Sequence, residues 1–118
     1  MAGRFPRRVF GQGTEPDARF TLANERTFLA WIGVSLALIS VGVALESLAL
    51  DLHPGFRLAA SLVLIVAGLA SPLQAWFGWM AVERALRLGR PLPPSVMALP
   101  LAVAVAVAGV LVIVAVLL

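Results

Sequence analysis

Arginine is the residue type in this 118-residue chain best suited to binding a ligand, since all nine of its basic residues are Arg. A planar guanidinium binds carboxylates and phosphates through two parallel hydrogen bonds. The candidate anion-binding residues are Arg19, Arg26, Arg84 and Arg87. The alternative is that these arginines pair with nearby Glu and anchor the chain to anionic lipid. Nucleic-acid binding is the weaker interpretation of the net charge of +3, because the arginines lie between apolar segments.

Residues for catalysis or metal binding are scarce. His53 is the only histidine, it falls in a predicted turn, and the chain has no Cys. No Ser-His-Asp grouping, phosphate-binding Gly-rich loop or pair of intramembrane carboxylates is recognisable. We therefore expect no enzyme activity, no metal site and no cofactor.

Small residues form a stripe along the first apolar segment. Starting from Arg26, they recur at alternating spacings of four and three, which places them on one helix face. The stripe consists of Ala30, Gly33, Ala37, Ser40, Ala44 and Ser47. One interpretation is close helix packing, because small residues let two backbones approach each other in lipid. The other is a pore or cavity lining in which Ser40 and Ser47 face water.

Gln74 is the only amide well inside an apolar segment. An amide in hydrocarbon is expected to form a hydrogen bond across a helix interface rather than face lipid. The sequence therefore predicts a structural, interhelical role for Gln74.

Three long apolar segments must carry these residues, since 61% of the chain is hydrophobic and only 13% is charged. Soluble domains carry about 25% charged residues. The predicted fold is an all-α membrane domain over residues 17–118, an antiparallel bundle of three transmembrane helices at about 27–50, 56–82 and 96–118. We expect this protomer to assemble into an oligomer. Residues 1–16, rich in Gly, Pro and Arg, are predicted to be a flexible basic cytoplasmic tail.

The distribution of arginine predicts the orientation. Eight of the nine arginines precede the first span or lie between the second and third, and only Arg57 lies in the first connection. Positive charge is retained on the cytoplasmic side. The prediction is a multi-pass protein of a bacterial inner (plasma) membrane, with the N-terminus in the cytoplasm and the C-terminus outside.

Residues 19–32 (RFTLANERTFLAWI) resemble the signature of the YidH family of small inner-membrane proteins. Trp79 and residues 83–87 and 91–93 continue the resemblance. The family's domain is shared with the membrane region of the vacuolar transporter chaperone (VTC) complex, which makes and translocates polyphosphate. The resemblance implies three-helix protomers that associate, with a basic cytoplasmic entrance to a channel.

Three residues match the family motif directly: Asn24, Glu25 and Arg26. Of these, the resemblance makes Arg26 the best candidate for contacting polyphosphate or another phosphate anion. Gly33 stands where many relatives have Arg. Without a charge at this position, Arg26 is the only basic residue on the stripe, which argues against polyphosphate conduction. The small size of glycine favours close packing.

Two functions remain open at this point. The first is a homo-oligomer with a basic cytoplasmic vestibule that binds or passes phosphate-type anions. The second is a non-conducting assembly or stabilising subunit whose small stripe docks onto a larger membrane partner.

Overall fold

The computed structural model describes residues 4–48 and 50–118, so predictions for residues 1–3 and for Ala49 lie outside it. The described chain contains four helices and no strand: α1 (Arg7–Phe10), α2 (Ala18–Ser47), α3 (Pro54–Leu88) and α4 (Ala98–Leu117). The helices α2, α3 and α4 are each long and apolar enough to cross a membrane. The all-α prediction with three transmembrane helices is confirmed.

Two helices extend well beyond their apolar parts. The helix α2 begins after Asp17, whose carboxylate accepts a hydrogen bond from the Arg19 N–H at 2.9 Å. The helix α3 begins after His53 and ends at Gly89, which adopts a left-handed conformation with φ 66°. The predicted spans, 27–50 and 56–82, mark only the apolar stretches. The polar residues beyond them remain helical and pair with one another across the two helices.

The helix α3 is the centre of the fold. Both α2 and α4 pack against α3, and within the described residues they do not contact each other. The molecule is elongated, 60 × 24 × 20 Å. A small core of buried residues joins the three helices: Leu38, Leu64, Ala67 and Ala108. Large apolar side chains such as Leu36, Leu69 and Val110 point outward on each helix, where lipid can cover them.

A reciprocal pair of serine and glycine residues brings α2 and α3 together. The Ser35 hydroxyl donates to the Gly68 carbonyl, and the Ser61 hydroxyl donates to the Gly42 carbonyl, each at 2.5 Å. A Cβ on Gly42 would lie 2.9 Å from the Ser61 carbonyl oxygen, and one on Gly68 would lie 3.0 Å from that of Ser35. Glycine is therefore required for this close approach.

The Ser35 hydrogen bond also resolves the defect that Pro72 introduces into α3. Proline has no backbone N–H, so Gly68 lacks the donor that would normally reach its carbonyl from four residues further on. In hydrocarbon an unpaired carbonyl costs several kcal/mol. The Ser35 hydroxyl from the neighbouring helix supplies the missing donor.

Candidate functional site

A polar cluster of Thr21, Asn24 and Glu83 joins α2 to α3 where both helices leave their apolar parts. The Glu83 side chain is buried, with 1% of its surface exposed. Its carboxylate accepts hydrogen bonds from the Thr21 hydroxyl at 3.2 Å and from the Asn24 amide at 3.5 Å. The same amide group donates to the Trp79 carbonyl at 3.0 Å. The family-motif residue Asn24 therefore has a structural role within the protomer.

Arg87 lies one turn beyond Glu83, and its guanidinium forms hydrogen bonds to the N-terminal segment, residues 4–16. Its guanidinium donates to the Gln12 carbonyl at 2.7 Å, to the Phe10 carbonyl at 3.3 Å and to the Glu15 carboxylate at 3.3 Å. The side chain of Arg87 is consequently buried. Three of the five guanidinium N–H donors are used inside the protomer, and the burial of the side chain shields the group from an external anion.

The N-terminal segment packs against the end of α3 through further contacts. The Phe10 ring lies 6.2 Å from that of Trp79, and Val9 is fully buried. Gly13 has φ 55°, and a Cβ there would overlap the Arg87 carbonyl oxygen. The composition of residues 1–16 predicts a flexible tail and does not indicate this docking, because nothing in it reveals that α3 offers an arginine and an indole.

The remaining candidate arginines do not form one pocket. Arg19 pairs with Asp17 at 2.9 Å, and this hydrogen bonding holds the pKa of Asp17 below its ordinary value. Arg26 and Arg84 are exposed and form no ion pair within the described residues. Arg26 lies about 160° around α2 from Asn24, which faces α3. Arg26 therefore points away from the protomer, as does its exposed neighbour Glu25.

The small-residue stripe also lies on the outer face of α2. Its residues are exposed except Ala44, which is half-buried. A Cβ on Gly33 would meet nothing within 4 Å. The Ser40 and Ser47 hydroxyls donate to the carbonyls four residues earlier in their own helix, at 2.6 and 2.8 Å. The stripe plays no part in packing within the protomer, which uses the opposite face of α2.

Gln74 borders an apolar cleft of about 500 Å³ between α2, α3 and the segment before α4. The Gln74 Nε2 atom is buried and has no acceptor within the described residues. The interhelical hydrogen bond predicted for this amide is therefore not formed by its N–H groups inside the protomer. The sequence identifies Gln74 but carries no signal for the cleft, which forms where α2, α3 and residues 93–96 meet.

Within the described residues, no group of three His, Asp or Glu side chains could hold a metal ion. The polar features of this end are thus the buried polar cluster, the occupied Arg87, the outward-facing Arg26 and the cleft. They lie on three apolar helices, and this architecture is that of a small multi-pass membrane protein.

The chain belongs to the DUF202 family, a domain of unknown function, whose model matches residues 19–85. It is 46% identical over 84 residues to the inner membrane protein YidH of Escherichia coli, covering 69% of this chain and 71% of that protein. It is 44% identical over 80 residues to an uncharacterised protein of Mycobacterium tuberculosis, covering 67% of this chain and 66% of that relative. No solved structure matches the chain significantly. The resemblance to the YidH family is confirmed, and the protein is a small inner-membrane protein of that type.

Proposed function

We propose that this protein self-assembles in the membrane through the outer face of α2 and that the assembly gathers Arg26 side chains into a site for phosphate-type anions. One observation carries the proposal: the small-residue stripe and Arg26 share the face of α2 that points away from α3. That face is exposed in the protomer although its composition is suited to close helix contact.

Packing in lipid supports the assembly step. Apolar side chains gain little by leaving lipid for protein, so helices associate where small residues permit close van der Waals contact. The protomer already uses this device once, at Gly42 and Gly68. The outer stripe offers a second surface of the same kind, with Gly33 near its Arg26 end.

Electrostatics supports the anion step. A single exposed Arg binds phosphate weakly, but several copies around one axis create a strong positive potential. Arg19 and Arg87 are engaged with carboxylates, and Arg84 lies on a face of α3 away from α2, so Arg26 is the residue that assembly would concentrate. The arginine distribution predicts that the site formed by the gathered Arg26 side chains faces the cytoplasm. We propose binding rather than passage, because Ser40 and Ser47 donate their hydroxyl protons to their own backbone.

Assembly is tested by Gly33→Leu. Since a side chain at this position meets nothing in the protomer, the variant should fold normally and yet shift from oligomer to monomer in native mass spectrometry from mild detergent. Gly109→Leu on α4 is the matched control, because that position is equally open, and it should leave the oligomer intact. A monomeric wild type, or an unchanged oligomer in Gly33→Leu, would refute assembly through this face.

Anion binding is tested with inorganic polyphosphate titrated onto the reconstituted protein. Arg26→Ala should weaken binding at least tenfold and Arg26→Lys by less, because lysine keeps the charge without the bidentate geometry. Arg8→Ala removes an equally exposed charge from the N-terminal segment and should have a much smaller effect. Equal losses for Arg8→Ala and Arg26→Ala would indicate only a general charge effect.

A second candidate function rests on the same exposed stripe. A non-conducting subunit would use it to dock onto a larger membrane protein, and Ala37→Leu would then abolish co-purification of that partner while leaving membrane insertion intact. A wild-type protein that is monomeric when purified, but co-purifies with such a partner, would favour this function over self-assembly.

A further inference from the structure

We call the apolar cleft beside Gln74 the interfacial cleft. It is separate from the outer face of α2. Phe28 and Trp31 of α2 form one wall, Gln74 and Gly78 of α3 form another, and residues 93–96 close the end. Apolar atoms dominate the lining. The cleft opens because α2 and α4 pack on different sides of α3 without contacting each other.

The depth of the cleft can be estimated from the charged residues of the helices. Arg57 and Glu46 form an ion pair at 3.3 Å near the opposite end, and charged groups mark the edge of the hydrocarbon. A core of about 30 Å corresponds to about 20 helical residues. Counting from Arg57 and Glu46 leads to Phe77 on α3 and to Arg26 on α2. Gln74 then lies roughly 4.5 Å inside the hydrocarbon boundary.

An amide at this depth requires an acceptor. The Gln74 Nε2 atom is shielded from solvent and has no partner within the described residues. An unsatisfied buried donor destabilises a protein. The lining apolar side chains offer no acceptor. A half-turn of the terminal amide exchanges Nε2 with Oε1, which lies toward Gly78 in the cleft wall, and so brings the N–H groups to where a molecule in the cleft can accept from them.

We propose that the interfacial cleft binds one diacyl phospholipid, with an acyl chain against the apolar walls and an ester carbonyl accepting a hydrogen bond from Gln74 Nε2. Ester carbonyls are the acceptors that a bilayer offers just inside its headgroups. By the same count Trp79 lies roughly 3 Å outside the hydrocarbon boundary and Trp31 roughly 7.5 Å inside it, so the two indoles flank Gln74 in the boundary region that tryptophan favours.

The volume of the cleft favours a single acyl chain over a protein helix as its occupant. A cavity of about 500 Å³ is within the range of small-ligand sites, and its concave walls cannot admit a whole helix of about 10 Å diameter. The proposal does not depend on anion binding or on self-assembly, since neither Arg26 nor the small stripe borders the cleft.

Native mass spectrometry of protein reconstituted with a phosphatidylglycerol mixture tests the proposal. The wild type should retain one lipid per protomer after detergent exchange. Gly78→Leu should abolish this retention, because a side chain there has room and projects beside Gln74. Gly109→Leu places the same bulk on an open surface of α4 and should retain the lipid. Gly33→Leu should also retain it, whatever happens to the oligomer.

The hydrogen bond is tested separately with diester and diether phosphatidylglycerol, which differ in the carbonyl acceptors. The wild type should prefer the diester on the order of three- to tenfold, and Gln74→Leu should lose that preference. Equal retention by the wild type and Gly78→Leu would overturn the site. A diester preference that persists in Gln74→Leu would overturn the assigned contact. An oligomer that dissociates in Gly78→Leu with lipid retention unchanged would show that a second copy fills the cleft.

Discussion

Glu83 is a carboxylate held in a nearly dry environment by neutral partners. Its oxygens accept from Thr21 and Asn24, and no cation lies within ion-pairing distance among the described residues. Buried polar groups of this kind lose stability when a partner is removed, because the remaining group is left unsatisfied. Asn24 is the critical member, since one amide group serves both Glu83 and the Trp79 carbonyl.

Replacing Asn24 by Ala should therefore lower the free energy of unfolding by about 1–3 kcal/mol. The measurement is denaturant unfolding of the purified protein in micelles, followed by circular dichroism. Glu25→Ala alters the adjacent, exposed motif residue and should change stability by less than about 0.5 kcal/mol. Similar effects of the two substitutions would contradict the structural role assigned to Asn24.

The stability that the Asp17 cap gives to the first turn of α2 should depend on pH. Hydrogen bonds from Arg19 depress the pKa of Asp17 in the folded protein, so the ionised cap stabilises the helix above the unfolded pKa of about 4. That contribution is lost as the pH falls through the lower, folded pKa. Amide exchange in the first turn of α2 should accelerate there relative to the middle of the helix. In Asp17→Asn, which retains a neutral cap, this change should be absent.

At the level of residues, the sequence predicted which side chains could bind an anion, but not which of them already bind other parts of the chain. The bidentate chemistry of Arg87 is evident from its type, yet its partners at Phe10, Gln12 and Glu15 are more than seventy positions away in the chain. Only the folded chain reveals that contact. Arg26 differs because its helical register alone places it on the outer face.

The interface between α2 and α3 is asymmetric in its hydrogen bonding despite its reciprocal geometry. The Gly42 carbonyl still has the N–H of Glu46 within α2, whereas Pro72 deprives the Gly68 carbonyl of its helical donor. The two serines should therefore contribute unequally. Ser35 satisfies an orphaned carbonyl, and Ser61 adds a second bond to a carbonyl that already has one.

Ser35→Ala should accordingly destabilise the protein by about 1–2 kcal/mol and Ser61→Ala by about 0.5 kcal/mol. Pro72→Ala restores the backbone donor and should reduce the cost of Ser35→Ala without affecting that of Ser61→Ala. A double-mutant cycle between Ser35 and Pro72, measured by denaturant unfolding in micelles, reports this coupling directly. Additive effects would mean that the serine does not compensate for the proline.

At the level of elements, apolar length predicted the three spans because no soluble fold accommodates such segments. The polar residues 18–26 and 83–88 extend the helices beyond the apolar stretches, as far as the Asp17 cap of α2 and Gly89 at the end of α3. The small-residue stripe of α2 indicated close packing, yet it is exposed in the protomer, whereas α3 buries small residues such as Ala60 and Ala67.

For the whole molecule, the structure gathers eight arginines at one end and leaves Arg57 at the other, since the N-terminal segment packs against the end of α3. Because the chain has no native Cys, single cysteines report sidedness without interference. Gln12→Cys and Arg90→Cys should react with an impermeant maleimide only from the cytoplasmic side, and His53→Cys only from outside. Labelling of all three from one side would refute the predicted topology.

The central position of α3 between the other two long helices could not be predicted from the sequence. Hydropathy assigns three helices to the bilayer but carries no information on which pairs touch, and a triangular bundle would fit the same pattern. The outcome depends on a few specific contacts, such as Ser35 with Gly68, that hold α2 to one side of α3. The cleft beside Gln74 is a consequence of that geometry.

Among the described residues α3 is the only long helix that α2 and α4 contact, and the order of synthesis therefore affects which contacts can form first. When α2 enters the bilayer its Asn24 and Ser35 have no partners, and they acquire them only when α3 follows. The helix α4 then packs against the hairpin of α2 and α3, and among the described residues it forms no hydrogen bond to α2. During biogenesis the chain is therefore most vulnerable to degradation after its first span has inserted and before its second is complete.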